Sequence, residues 1–177
     1  MKDISLYQEL FTEVEGKVQF INQDTDRSKY FNPRLKYETR VPQLETMCMI
    51  MEKIVLKKEL TEAKVFVGFQ KFSRTGSIWE RFLEMARQGT QVYVFGLADQ
   101  DIQGHENITK IALPKNHHLI QEWFLVIDSN KVSTMMVARD MDGFDQHEDL
   151  RLRKFKGIKC NNKTVVKKAK KLLEQLI

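Results

Sequence analysis

With only two cysteines in 177 residues, Cys48 and Cys160, the chain has one disulfide at most, and a reducing compartment favours two free thiols. No apolar run approaches the roughly 20 residues that span a bilayer. The Met1-Lys2-Asp3 start leads into an amphipathic helix rather than a secretory signal, so the expectation is a cytoplasmic protein. G-x-x-x-x-G-K-[ST], G-x-G-x-x-G and G-x-S-x-G are all missing, which removes the usual phosphate cradles and the nucleophile elbow. His117-His118 is the nearest thing to a metal motif, but no third ligand of proper spacing accompanies it, and a surface pair is the plainer reading. His105 with Glu106, and His147 with Glu148 and Asp149, read as solvated polar loops. Which cofactor, if any, the chain holds is not legible from these motifs.

What is present suits one domain. At 42% hydrophobic and 30% charged the chain is ordinary for a globular protein and long enough to bury a substantial core. The net charge of +5 conceals an asymmetry: residues 150–177 carry ten Lys or Arg against Glu174 alone, and the remaining 19 basic and 23 acidic residues leave 1–149 at −4.

Ala63 to Gly96 organises the rest. Lys64–Gln70 and Gln91–Phe95 read as strands. Between them Ser77 and Glu80 have capping-box spacing, Ile78, Trp79, Phe82, Leu83 and Ala86 recur at helical steps, and Gly89 suits a left-handed end. A strand, helix and strand of this kind predict a parallel βαβ unit. Upstream, Asp3 is expected to cap a short helix over Ile4, Tyr7, Leu10, Phe11 and Val14, and Val18–Ile21 to form a short strand. Turn formers fill most of Lys17–Tyr37. From Pro42 to about Leu60 an apolar helix face predicts packing on the sheet. Downstream, Ile108–Leu113 reads as a strand. Glu122–Ile127 and Val132–Arg139, both strongly apolar, read as a hairpin of inner strands, and Leu150–Lys159 as a Lys- and Arg-rich edge strand. Asn162 can cap a last helix with Lys167, Lys168, Lys170 and Lys171 on its outer face. The expected architecture is thus a single α/β domain over 1–177, a mixed sheet of five to seven strands with helices on its faces. Residues 1–40 are expected to be an N-terminal helix and irregular extension.

Gly68-Phe69-Gln70 with Phe72, Val94-Phe95-Gly96, Glu122-Trp123, Ala138-Arg139-Asp140, and Arg153, Phe155 and Gly157 follow one another in an order and spacing that resemble the DICT sensory domain. That family is named for diguanylate cyclases and two-component proteins. The likeness runs from about Val41 to Leu176. It implies a bacterial sensory module of the kind fused to GGDEF, EAL, HD-type phosphohydrolase and histidine kinase outputs, with a suggested part in light response. It also implies a non-enzymatic role. Only about 40 residues remain outside the likeness, so the expected action is in trans on a signalling partner, with a homodimer as an alternative assembly and no membrane partner.

In α/β sheets ligands bind at the carboxyl ends of strands. The expected site for an unidentified small molecule therefore comprises Gly68, Phe69, Gln70, Phe72, Arg74, Gly96, Trp123, Arg139 and Asp140. The two glycines are expected to admit a ligand to the backbone, Gln70 to offer donor and acceptor, the rings to offer faces, and an arginine to pair with an anion. On this reading, replacing Gln70 or Arg139 by Ala weakens binding and changes the melting temperature little. Two other classes stay open: a nucleic-acid-binding protein using the basic helix, the less favoured of the partners, and an enzyme of unrecognised type.

Overall fold

A computed structural model describes residues 1–177 and shows one mixed sheet of eight strands, more than the five to seven expected, in the order β1-β2-β8-β7-β6-β3-β4-β5. The strands are β1 (Val18–Phe20), β2 (Arg34–Arg40), β3 (Lys64–Lys71), β4 (Gln91–Leu97), β5 (Ile108–Ala112), β6 (Glu122–Asp128), β7 (Ser133–Asp140) and β8 (Lys154–Cys160). The helices are α1 (Leu6–Leu10), α2 (Val41–Lys58), α3 (Trp79–Arg87) and α4 (Lys163–Glu174). No helix is long and apolar enough to cross a membrane.

β3 and β4 pair in parallel around α3, and β6 and β7 form the antiparallel hairpin. Every residue of β6 is buried, because both faces of the sheet are covered. On one face α2 and α3 lay Leu44, Met47, Met51 and Phe82 over Val65, Val67, Leu125 and Met136. On the other, α1 and α4 lay Leu6, Leu10, Val166 and Leu173 over Phe66, Phe124, Val126 and Val137. Cys48 and Cys160 belong to these opposite layers and are free thiols.

Local chemistry sets the helix ends. Pro42 occupies the first turn of α2, and Glu59 closes it in a left-handed conformation (φ 46°), its N–H reaching the carbonyls of Val55 and Leu56. Asn162 accepts the Thr164 and Val165 N–H groups at the start of α4. Gly89, at φ +97°, follows the end of α3 as expected. Ser77 makes no capping box, however. The chain passes through 3-10 turns at Phe72–Arg74 and Gly76–Ile78, and α3 begins at Trp79 with no side-chain cap. Asp3 does not cap α1 either. Ser5 takes that place by accepting the Gln8 N–H, while Asp3 accepts the His118 N–H at 2.9 Å and lies 2.7 Å from its Nδ1.

Two further corrections concern the same corner of the sheet. Residues 1–40 are no irregular extension, since β2 lies second from one edge and runs straight into α2. Its sequence, RLKYETR, alternates outward charges with buried Leu35, Tyr37 and Thr39. β8 in turn is not an edge strand, because β2 pairs along its whole length on one side and β7 on the other. Its basic residues are met by the protein: Lys156 lies 3.8 Å from Glu38, and buried Lys159 donates to the Asn32 carbonyl at 3.1 Å.

Close pairing of β8 with β7 depends on Gly157. A Cβ there would stand 2.2 Å from the Val137 carbonyl oxygen and 2.7 Å from the Ala138 Cα, both backbone atoms that cannot rotate away. Gly157→Ala should therefore cost about 2–4 kcal/mol or abolish folding. Gly104→Ala, with nothing within 4 Å of its added Cβ, should be nearly neutral. Equal urea midpoints for the two variants would contradict this account.

Candidate functional site

Six strands, β1, β2, β7, β3, β4 and β5, run in one direction, against β6 and β8. The carboxyl ends of those six thus share one edge of the sheet with the amino ends of β6 and β8. Along that edge the expected site residues separate into core, network and surface.

Phe69, Phe72 and Trp123 are core residues. Trp123 meets Phe69 and Phe155 edge-on, with ring centroids 5.9 and 6.0 Å apart. The room beside the two glycines is also occupied by the protein. A Cβ on Gly68 would run into the Phe124 ring at 2.4 Å, and one on Gly96 would press on Phe72 at 3.2 Å. Close packing against these rings, rather than open backbone, accounts for glycine at both positions.

Gln70 is the centre of a polar network. The register of β3 against β4 slips between Gly68 and Lys71, a bulge that turns Gln70 inward with a left-handed backbone (φ 70°) and 1% exposure. Its side-chain oxygen accepts from Arg153 at 2.5 Å and from Arg74, and its amide donates to Asp140 Oδ2 at 3.3 Å. Asp145, also left-handed at φ 61°, takes Arg74 at 2.7 Å and Lys71 besides. Left-handed backbone at two non-glycine residues of one cluster is strain held by its surroundings.

Burial governs the charges here. It pushes the Arg153 guanidinium down to about 10, aided by the nearby charge of Arg74. Burial also lowers Arg74, and it raises the Asp140 carboxyl against the opposing hydrogen bond from Gln70. Arg153 makes no salt bridge. Its guanidinium lies 5.4 Å from the Phe155 ring and 5.8 Å from that of Trp123, and it donates to the Leu150 carbonyl at 2.9 Å.

Two clefts flank Met141. One of about 470 Å³ lies between Tyr7, Gln121, Arg139, Asp140 and Gly143. The other, of about 440 Å³, lies against Phe20, Arg40, Lys154 and Phe155. Arg139 is half-buried and bonds Gln121 only at 3.5 Å, so with Asp140 it is a member of the expected set able to face a cleft.

Beside the first cleft, Glu122 ties the amino-terminal segment to the sheet. It is 1% exposed, takes the Ser5 hydroxyl at 2.5 Å on one oxygen, and takes the Leu6 and Tyr7 N–H groups at 3.0 and 3.3 Å on the other. Burial raises its pKa to about 7, against those hydrogen bonds and the charge of Arg139. His117 is no surface residue: it is buried, accepts the Leu119 N–H on Nδ1 and reaches the Lys2 carbonyl with Nε2 at 3.0 Å. No cluster of three or more potential metal ligands exists. On α4, Lys168 is taken by Glu13 and Lys170 by Asp128, leaving Lys167 and Lys171 to solvent.

Reading the sequence named Glu122 and Arg153 only as residues of the family likeness, without a structural role, and missed Asp145. A charged residue among apolar ones at the start of an inner strand was the available signal for Glu122. Nothing local distinguishes Asp145 from its acidic neighbours.

A family model described as the sensory domain in diguanylate cyclases and two-component systems (DICT) matches residues 28–141, from the turn before β2 to the end of β7. No curated protein and no solved structure matches the chain.

Two outcomes follow from the geometry. Gln70→Ala leaves a buried guanidinium and carboxyl without their shared partner, and should lose about 1–3 kcal/mol of stability in urea unfolding. That revises the small melting change expected from sequence, whereas half-exposed Arg139→Ala should stay within about 0.5 kcal/mol. Glu122 ionises near 7 when folded and near 4.5 when unfolded, so the folded state binds its proton more tightly. The resulting stabilisation is complete below about pH 4.5 and disappears as pH rises through about 7, a change of up to about 3 kcal/mol. Glu122→Gln should flatten the stability profile between pH 5 and 8, and profiles parallel to wild type would refute the assignment.

Proposed function

Because the chain belongs to the DICT family of sensory domains, we propose that it is the input unit of a bacterial signalling system. A small molecule or chromophore bound at the carboxyl edge of the sheet changes its affinity for a separate signalling protein.

The Gln70 network carries the proposal. It joins the end of β3, the turn after it, the end of β7 and the segment leading into β8 through one buried carboxamide. A ligand that moves Arg139, Asp140 or Met141 also moves an acceptor or its neighbour in that network. A left-handed, fully packed Gln70 suits a switch with two discrete hydrogen-bonding arrangements.

Native mass spectrometry of protein purified from its own host, together with its absorption spectrum, provides the test. The expected result is a retained small molecule, with visible absorption if the input is light. Arg139→Ala should weaken rebinding of that molecule by about 1–3 kcal/mol in titration calorimetry. Unchanged affinity in the folded variant would remove the residue 139–141 region from the site.

A further inference from the structure

We infer that the cleft between β1, β2 and β8 binds a small apolar molecule carrying one anionic group, a carboxylate or a phosphate ester. This goes beyond the sensory reading: the cleft lies across Met141 from the one that Arg139 lines, and it rests on separate observations.

The first observation is apolar surface left open by an otherwise well-covered fold. Phe20 is 76% and Met141 51% exposed, and both border this cleft while Phe155 lines it. Exposed apolar groups gathered around a concavity mark a binding site, and about 440 Å³ falls within the usual range for small molecules.

The second is positive charge without salt bridges. Of the cleft's three charged residues, Glu38 is matched by Lys156 at 3.8 Å, but neither Arg40 nor Lys154 makes a salt bridge, although Asp142 accepts the Lys154 backbone N–H at 3.2 Å and feels its charge. The Arg40 guanidinium reaches only the Leu152 carbonyl, at 3.4 Å. Arg40 is also the residue preceding α2, whose amino end has no side-chain cap and opens on the cleft at Gln43. Two cations without salt bridges, beside the uncapped amino end of α2, thus border the apolar surface. That arrangement favours an anion over a neutral or cationic ligand.

The third links cleft to network. Phe155, on the cleft wall, lies under the Arg153 guanidinium that holds Gln70, and Met141 directly follows Asp140. A ligand wedged between Phe155 and Met141 bears on both sides of that hydrogen-bonded cluster.

The experiment compares 2-naphthoate with 2-naphthylmethanol, its uncharged counterpart, by titration calorimetry and by the NMR methyl signal of Met141. The carboxylate should bind at least about tenfold tighter, as expected for one charge-assisted contact, and should shift the Met141 methyl. Arg40→Gln combined with Lys154→Gln should erase the tenfold preference, and Phe20→Ser should weaken both probes. Arg40 and Lys154 are exposed, and a wild-type melting curve for the double variant confirms folding. Binding by neither probe, equal affinity for both, or a preference that survives the double substitution would overturn the inference. Those failures would leave a retained molecule found by mass spectrometry, and the sensory reading, standing.

Discussion

Burying both faces of the sheet is the constraint on which the rest of this molecule depends. Apolar burial is the dominant favourable term in folding, and here it is taken from each side of β3, β6 and β7 at once. With helices closing both faces, no broad surface of the sheet remains for a ligand. Chemistry is confined to the edges, and the shared direction of six strands collects the carboxyl ends on one of them. The same packing explains the glycines. Gly68 and Gly157 are places where a ring or a neighbouring strand comes closer than a Cβ permits.

At that edge the protein tolerates buried charge, and the way it does so defines how the edge can respond. Arg153 is held by a carboxamide, a carbonyl and two aromatic faces instead of a carboxylate. These partners satisfy its donors without fixing its charge to one acid. Taking away a partner of a buried charge costs more than the bond itself is worth, because the remaining group stays desolvated. Small displacements at the edge are therefore felt across β3, β7 and β8 together. The amino-terminal segment is subject to the same physics. Glu122 is buried only because Ser5, Leu6 and Tyr7 satisfy it, and Tyr7 then forms a wall of the cleft beside Arg139.

The sequence by itself determined the pieces whose instructions are local. Short β-branched, aromatic and apolar runs found β3, β4 and the β6–β7 hairpin, helical period found α3 and the outward lysines of α4, and Pro42, Gly89 and Asn162 marked helix ends, because such runs, caps and periods act over a few residues. The alternation that specifies β2 was equally local, but it merges without a turn into α2 and was hidden among the polar residues before it. Only the tertiary structure decided what those pieces meet. β8 became an inner strand because β2, more than a hundred residues earlier in the chain, pairs with it. Gln70 finds Arg153 across 83 residues, and Ser5 finds Glu122 across 117. Charge and size at each position were readable, but the partner was not. A buried polar group is satisfied by whichever side chain the packed layers bring within hydrogen-bond distance, and that is a property of the whole sheet.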